Sequence, residues 1–176
     1  VMNVDAGVDN RTRSLEPLER YHTPLGAPAD QALRDAYSKI ADTADELGGR
    51  VGGVGVSRSL RRAGGIIWFD FHTLCGGPRS QNDYLEIASR FHTVILSGVP
   101  AMSASQSSEA RRFTWLIDVF YDHKVKLLMS AEVAPEQLYT KGVLANEFHR
   151  TVSRIIEMQS REYMLAERRG AADALA

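Results

Sequence analysis

The sequence predicts an α/β protein: a small, mostly parallel three-stranded sheet with flanking helices, preceded by a helix and a β-hairpin segment. Three observations carry this expectation. Three continuous apolar runs of strand length, at residues 66–69, 93–96 and 125–129, suit strands covered on both faces. Two amphipathic stretches of helical period separate them. Strand–helix–strand–helix–strand with short joins then calls for crossover connections and parallel neighbours.

The elements follow in chain order. Val1–Val4 has the make-up of a strand leading into Gly7-Val8-Asp9-Asn10-Arg11. Pro17, Pro24, Gly26 and Pro28 break any period, so residues 14–28 are expected as a linker. Pro28 suits the first turn of a helix in which Leu33, Ala36, Tyr37, Ile40, Ala44 and Leu47 recur at helical spacing, and Gly48-Gly49 is its expected stop. An alternating, glycine-rich stretch from Arg50 to Ser59, a turn over residues 60–65 and closure onto residues 66–71 predict the hairpin. Ser80 with Asp83 three residues on opens a helix whose Tyr84, Ile87, Ala88 and Phe91 form one apolar stripe. The next helix carries Phe113, Leu116, Ile117, Phe120 and Tyr121 on one face and Trp115 and Val119 on a flank, so two of its surfaces are expected to be covered. A last helix runs from about Asn146 past Tyr163, with Phe148, Val152, Ile155, Ile156 and Gln159 inside and Arg150, Arg154, Glu157 and Arg161 outside. The organisation this gives is a lid-like or connecting segment over 1–62, an α/β domain over 63–165 and a frayed tail over 166–176.

Composition narrows the class. A content of 44% hydrophobic and 24% charged residues is ordinary for a soluble globular protein, and at 176 residues the chain is long enough to bury a core. A net charge of −1 gives no electrostatic reason to expect nucleic acid as a partner. Cys75 is the single cysteine, which rules out an internal disulfide and fits a reducing compartment. The longest apolar runs are about six residues, far short of a bilayer span. The chain opens inside the strand-like V-M-N-V with no signal peptide before it, and is expected to be a piece of something longer.

Candidate chemistry is sparse. No G-x-x-x-x-G-K-[ST] loop and no apolar run ending in Asp-Glu occurs in the sequence. The glycines at 48–55 follow a predicted helix and lead into strand-like residues, the reverse of a phosphate cradle. Arg50, Arg58, Arg61 and Arg62 make that region basic, with no acid between Arg50 and Asp70, and a basic hairpin can touch nucleic acid, lipid headgroups or an acidic partner. Arg111-Arg112 is expected in the first turn of its helix, where the macrodipole disfavours cations, so a phosphate or a carboxylate on a neighbouring subunit would suit the pair. Ser97, His72 and Glu132 fall near predicted strand ends, but Ser97 lacks the G-x-S-x-G elbow that exposes a nucleophile. His72 and Cys75 have a metal-like spacing without a second pair; zinc takes three or four protein ligands, so a packed turn is the expectation.

Several stretches, taken together and in order, carry a family resemblance: F-D-F-H-T-L-C at 69–75, D-Y-L-E-I-A at 83–88, A-R-R-F-T-W-L-I-D at 110–118 and S-R-I-I-E-M-Q-S at 153–160. The chain resembles the C-terminal part of the ZapE/AFG-one-like AAA+ ATPases. Gly7-Val8-Asp9-Asn10-Arg11 is similar to that family's D-Y-R stretch, with Asn10 in the tyrosine's place and Arg11 matching. The resemblance implies that Walker A, Walker B and finger-arginine elements lie in an N-terminal half that precedes this segment. It also implies ATP and magnesium as the parent's cofactors, with none held by the present segment. As partners it implies the N-terminal ATPase half, further copies of the parent, and a division-ring or membrane-associated protein. Bacterial members are linked to the division ring at the inner membrane and eukaryotic relatives to mitochondrial protein turnover. A cytoplasmic location follows, with peripheral attachment to the inner membrane as a further option. On this reading the segment is regulatory and scaffolding, inactive alone, with Arg111, Arg112, Arg11 and Arg154 sensing nucleotide or a neighbouring subunit. The alternative is a non-catalytic protein- or membrane-docking module without a nucleotide role.

Overall fold

The computed structural model describes residues 19–41, 46–50 and 58–165. Its strands are β1 (Tyr21–His22), β2 (Glu46–Arg50), β3 (Arg58–Ala63), β4 (Ile66–Asp70), β5 (Thr93–Val99) and β6 (Lys126–Ala131). Its α-helices are α1 (Ala27–Ile40), α2 (Phe71–Cys75), α3 (Gln81–Arg90), α4 (Ser107–Asp122), α5 (Phe148–Met158) and α6 (Arg161–Leu165). The α/β class is as the sequence predicts, but the sheet is larger. It has six strands in the order β1-β6-β5-β4-β3-β2, not three. The three apolar runs form its parallel centre, with Phe69 opposite Leu96 and Ile95 opposite Leu128. β1 extends it in parallel beside β6, and β3 and β2 extend it antiparallel beyond β4.

Period-two alternation in the central strands splits the core. Ile66, Trp68, Ile95 and Leu128 turn to one face, where α1 covers them with Leu33, Ala36 and Tyr37. Ile67, Phe69, Val94, Leu96, Leu127 and Met129 turn to the other, beneath α3, α4 and α5. Each face is thus a sealed layer, and the apolar strands need no polar side.

Several boundaries depart from the sequence-based expectation, each for a physical reason. Residues 14–28 are not linker throughout: Tyr21 and His22 pair with Met129 and Ser130, and the helix already starts at Ala27. That helix ends at Ile40 rather than at Gly48-Gly49; Asp42, Thr43 and Asp45 are poor helix formers, and Leu47 is taken into pairing with Arg61. The turn expected over 60–65 shrinks to Gly64-Gly65, because residues 58–63 pair with both neighbours. A Cβ on Gly65 would lie 2.2 Å from the His92 ring, so only glycine lets the turn approach the start of β5, where His92 N–H donates to the Gly65 carbonyl at 2.9 Å.

The capping box is in place, with the Ser80 N–H donating to Asp83 Oδ2 at 2.9 Å. α4 packs against both α3 and α5; on its flank Val119 is buried but Trp115 only half-buried, so the second predicted surface is covered in part. The last helix is not continuous. It stops after Met158, and Ser160 Oγ accepts the Tyr163 N–H at 3.2 Å, starting α6 with a cap of its own. The inner stripe of α5 is Phe148, Thr151, Ile155 and Met158, while Ile156 is 50% exposed. α6 is fastened to the start of β6. The Tyr163 hydroxyl donates to the Val125 carbonyl at 2.6 Å and sits 3.0 Å from the Phe120 carbonyl, and buried Lys126 Nζ donates to the Tyr163 carbonyl at 2.9 Å. Val1–Val4 and the tail at 166–176 lie outside the described residues.

Candidate functional site

A concavity lies between α4 and the segment that enters α5. Arg111, Thr114 and Trp115 recur at spacings three and four, so they form one stripe on a flank of α4 whose inner face, Ala110 and Phe113, is buried. Facing that stripe are Tyr139, Val143, Leu144, Glu147 and Phe148, and together they enclose a cavity of about 330 Å³. A second cavity of about 310 Å³ shares Thr114, Trp115 and Glu147 and continues toward Asp118, His149 and Arg150. Trp115 is the ridge between the two.

The floor is rigid because it is aromatic and pinned. Phe148 stacks on Phe113 at 6.3 Å and takes the Tyr139 ring edge-on at 5.6 Å. The Tyr139 hydroxyl donates to the Val143 carbonyl at 2.6 Å. Gly142, at φ 128, allows this turn: a Cβ there would lie 2.5 Å from the Tyr139 hydroxyl and 3.0 Å from the Ala104 Cα. Leu144 is held at φ 66, a left-handed conformation that costs a bulky residue about 1–3 kcal/mol. The result is that Val143 and Leu144 are 61% and 52% exposed, two large apolar side chains presented beside an apolar hollow.

Three polar groups of this groove are uncommitted. Among the described residues the Arg111 guanidinium, the Glu147 carboxylate and the Trp115 indole N–H make no hydrogen bond or ion pair.

The other arginines singled out in the sequence are placed differently. α4 begins at Ser107, so Arg111-Arg112 sits in its second turn, where the dipole penalty expected for the first turn has faded. Half-buried Arg112 points away from the groove, and its Nε donates to the Cys75 carbonyl at 2.8 Å, closing the end of α2. Arg154 pairs with Asp118 across the two helices and lies 5.0 Å over the Tyr121 ring. The Arg61 guanidinium lies 4.5 Å from the centre of the Tyr37 ring, on the α1 side of the sheet. The hairpin arginines are therefore at the sheet's far edge, away from the groove, with Arg50 opposite Arg58 and Arg62 opposite Glu46 in the backbone register. Arg11 lies outside the described residues.

The strand ends hold no assembled catalytic set. Ser97 Oγ accepts the Trp68 indole N–H at 3.1 Å, and Glu132 accepts the Ala101 N–H at 2.9 Å. Asp70 caps α2 through the Thr73 N–H at 2.7 Å, and Ser130 Oγ accepts the Gly98 N–H at 3.0 Å. With these groups committed within the fold and no phosphate-cradle sequence, the described residues do not fit a magnesium–triphosphate site. Nor do His72 and Cys75 make a metal centre. Cys75 is buried under Tyr84, and burial pushes its thiol up to about 12. Among the described residues no group of three or more candidate ligands occurs, and no helix is long and apolar enough to cross a membrane.

Sequence reasoning singled out Arg111 but missed Tyr139, Val143, Leu144 and Glu147. The available signal was Gly142-Val143-Leu144, two large apolar residues after a glycine in a stretch with no helical or strand period.

Residues 1–167 match the AFG1-like ATPase family model, and the chain belongs to that family. It is 40% identical over 174 residues to the cell division protein ZapE of Escherichia coli (strain K12), covering 95% of this chain and 45% of that protein. It is 31% identical over 203 residues to lactation elevated protein 1 homolog B of Danio rerio, covering 94% of this chain and 40% of that protein. The chain thus spans less than half the length of these relatives. No solved structure shows a significant match.

Proposed function

We propose that this chain is the C-terminal regulatory and scaffold segment of an AAA+ ATPase of the ZapE type, contributing arginines and surface to an ATP-dependent assembly. The observation that carries this reading is the family match across residues 1–167 in a sequence with no G-x-x-x-x-G-K-[ST] loop. ATP and magnesium belong, on this reading, to the longer parent, and so does the role in cell division that the bacterial relative's name states. Within the segment Arg111 is the sensor for a neighbouring subunit or nucleotide, because its guanidinium has all its donors to offer. Arg112 is a positioning residue that holds α4 against α2, and Arg154 holds α5 against α4. The parent acts in the cytoplasm as an assembly of several copies.

The test is kinetic. Purified 1–176 is expected to hydrolyse no ATP with magnesium present, whereas the parent hydrolyses it and Arg111→Ala lowers that rate. Magnesium-dependent turnover by the segment alone would overturn the reading. An unchanged rate and unchanged assembly in the Arg111→Ala parent would remove the residue from its role.

A further inference from the structure

We propose that the groove between α4 and the 142–148 segment docks a partner polypeptide that inserts one large apolar side chain and sets a carboxylate beside it on Arg111. The inference rests on the groove alone, does not require the chain to serve an ATPase, and gives Arg111 a peptide carboxylate in place of the subunit or nucleotide contact proposed above.

Three features point to this occupant. The cavity, about 330 Å³ with Trp115, Tyr139, Leu144 and Phe148 around it, is of the size and character that takes a phenylalanine, leucine or tryptophan anchor. Val143 and Leu144 stay exposed at its mouth, with the Leu144 backbone held in the left-handed region. The rim is charged at two points, by Arg111 and by Glu147, and neither has a partner among the described residues. A carboxylate next to the anchor complements Arg111 through a bidentate pair, and a backbone amide of the same segment complements Glu147.

The charge around the groove suits an acidic segment. Arg111 faces Glu147, Asp118 in the adjoining cavity is paired with Arg154, and Arg150 in that cavity leaves the two hollows net positive. An apolar hollow that takes a single anchor beside a cation is the make-up of a peptide-binding groove.

The experiment selects random short peptides displayed on phage against the purified chain, with counter-selection on the Arg111→Glu variant. The expected winners carry Phe, Leu, Ile or Trp adjacent to Asp or Glu. A synthetic winner should bind by fluorescence polarisation, and Arg111→Glu, Leu144→Ser or replacement of the peptide's acid by Lys should each weaken it by about ten-fold or more. Arg111→Lys should restore part of the loss, and unchanged melting of each variant guards against unfolding. No enrichment, or peptides that bind the wild type and Arg111→Glu equally, would overturn the proposal. So would concentration-dependent self-association lost on Arg111→Glu, which assigns the groove to a second copy. Capture by phosphatidylglycerol vesicles lost in the same variant would assign it to a membrane surface and overturn it too.

Discussion

Two adjacent arginines with opposite assignments offer a sharp comparison. Arg112 is half-buried and its Nε holds the Cys75 carbonyl at 2.8 Å, while Arg111 is exposed and partnerless among the described residues. A hydrogen bond from a charged donor contributes about 1.5–3 kcal/mol, and the Arg112 head is partly in water, which places it at the low end, about 1.5 kcal/mol. Truncation also strands the carbonyl at the negative end of α2. For a chain of this size that loss lowers the melting temperature by about 3–6 °C. The assay is urea unfolding of Arg112→Ala and Arg111→Ala beside the wild type. Arg112→Ala should shift the midpoint with its slope unchanged, and Arg111→Ala should stay within about 0.5 kcal/mol of wild type. Arg112→Lys should recover little, because an ammonium on a flexible stem does not reproduce the planar Nε donor. Equal losses for the two alanine variants would refute the division between a positioning residue and a free one.

Other expectations follow from the same contacts. Tyr163→Phe removes the donor to buried carbonyl oxygens of Phe120 and Val125 and should cost about 1–3 kcal/mol, with α6 becoming the first site of limited proteolysis; cleavage unchanged in rate would argue against the latch. Gly142→Ala places a Cβ against the Tyr139 hydroxyl at a φ that L-residues avoid, and should cost about 2 kcal/mol while altering Trp115 fluorescence; a neutral result would mean the turn is not held as described. The Cys75 thiol, raised by burial from 9.0 to about 12, should resist a disulfide-exchange reagent at pH 8 until the chain unfolds. Its linkage has a definite sign. Below pH 9 the thiol is protonated in both states; between pH 9 and about 12 the unfolded chain ionises while the folded thiol keeps its proton, so stability falls as pH rises. Cys75→Ala should flatten that part of the stability curve, and an unaltered slope would show that the thiol does not contribute.

Much of the fold was legible because it is written in local patterns. Ile66–Phe69, Thr93–Leu96 and Val125–Met129 are too apolar for any one-sided element, and the Ser80–Asp83 box fixes a helix start by itself. The rest depends on partners distant in sequence. Residues 60–63 look like turn because Arg61 and Arg62 hide the alternation, and Tyr37 beneath the Arg61 guanidinium helps to make a half-buried arginine acceptable there. Gly48-Gly49 resembles a helix stop until β3 is present to pair with it. The break after Met158 has one local sign, the Ser160 cap, while Lys126 and Val125, distant in sequence, hold Tyr163 in place. Arg154 looks free in sequence and is bound to Asp118, 36 residues away. The groove was the least legible part, because Leu144 reaches it through a backbone conformation that no residue pattern announces.

On the proposed function, the gripping of nucleotide is left to a longer parent of this chain. Titration of a fluorescent ATP analogue with magnesium tests it most directly, run in parallel on the 176-residue chain and on the parent. The account predicts a saturable signal for the parent and none for the chain at the same concentrations. Saturable, magnesium-dependent binding to the chain alone would contradict it.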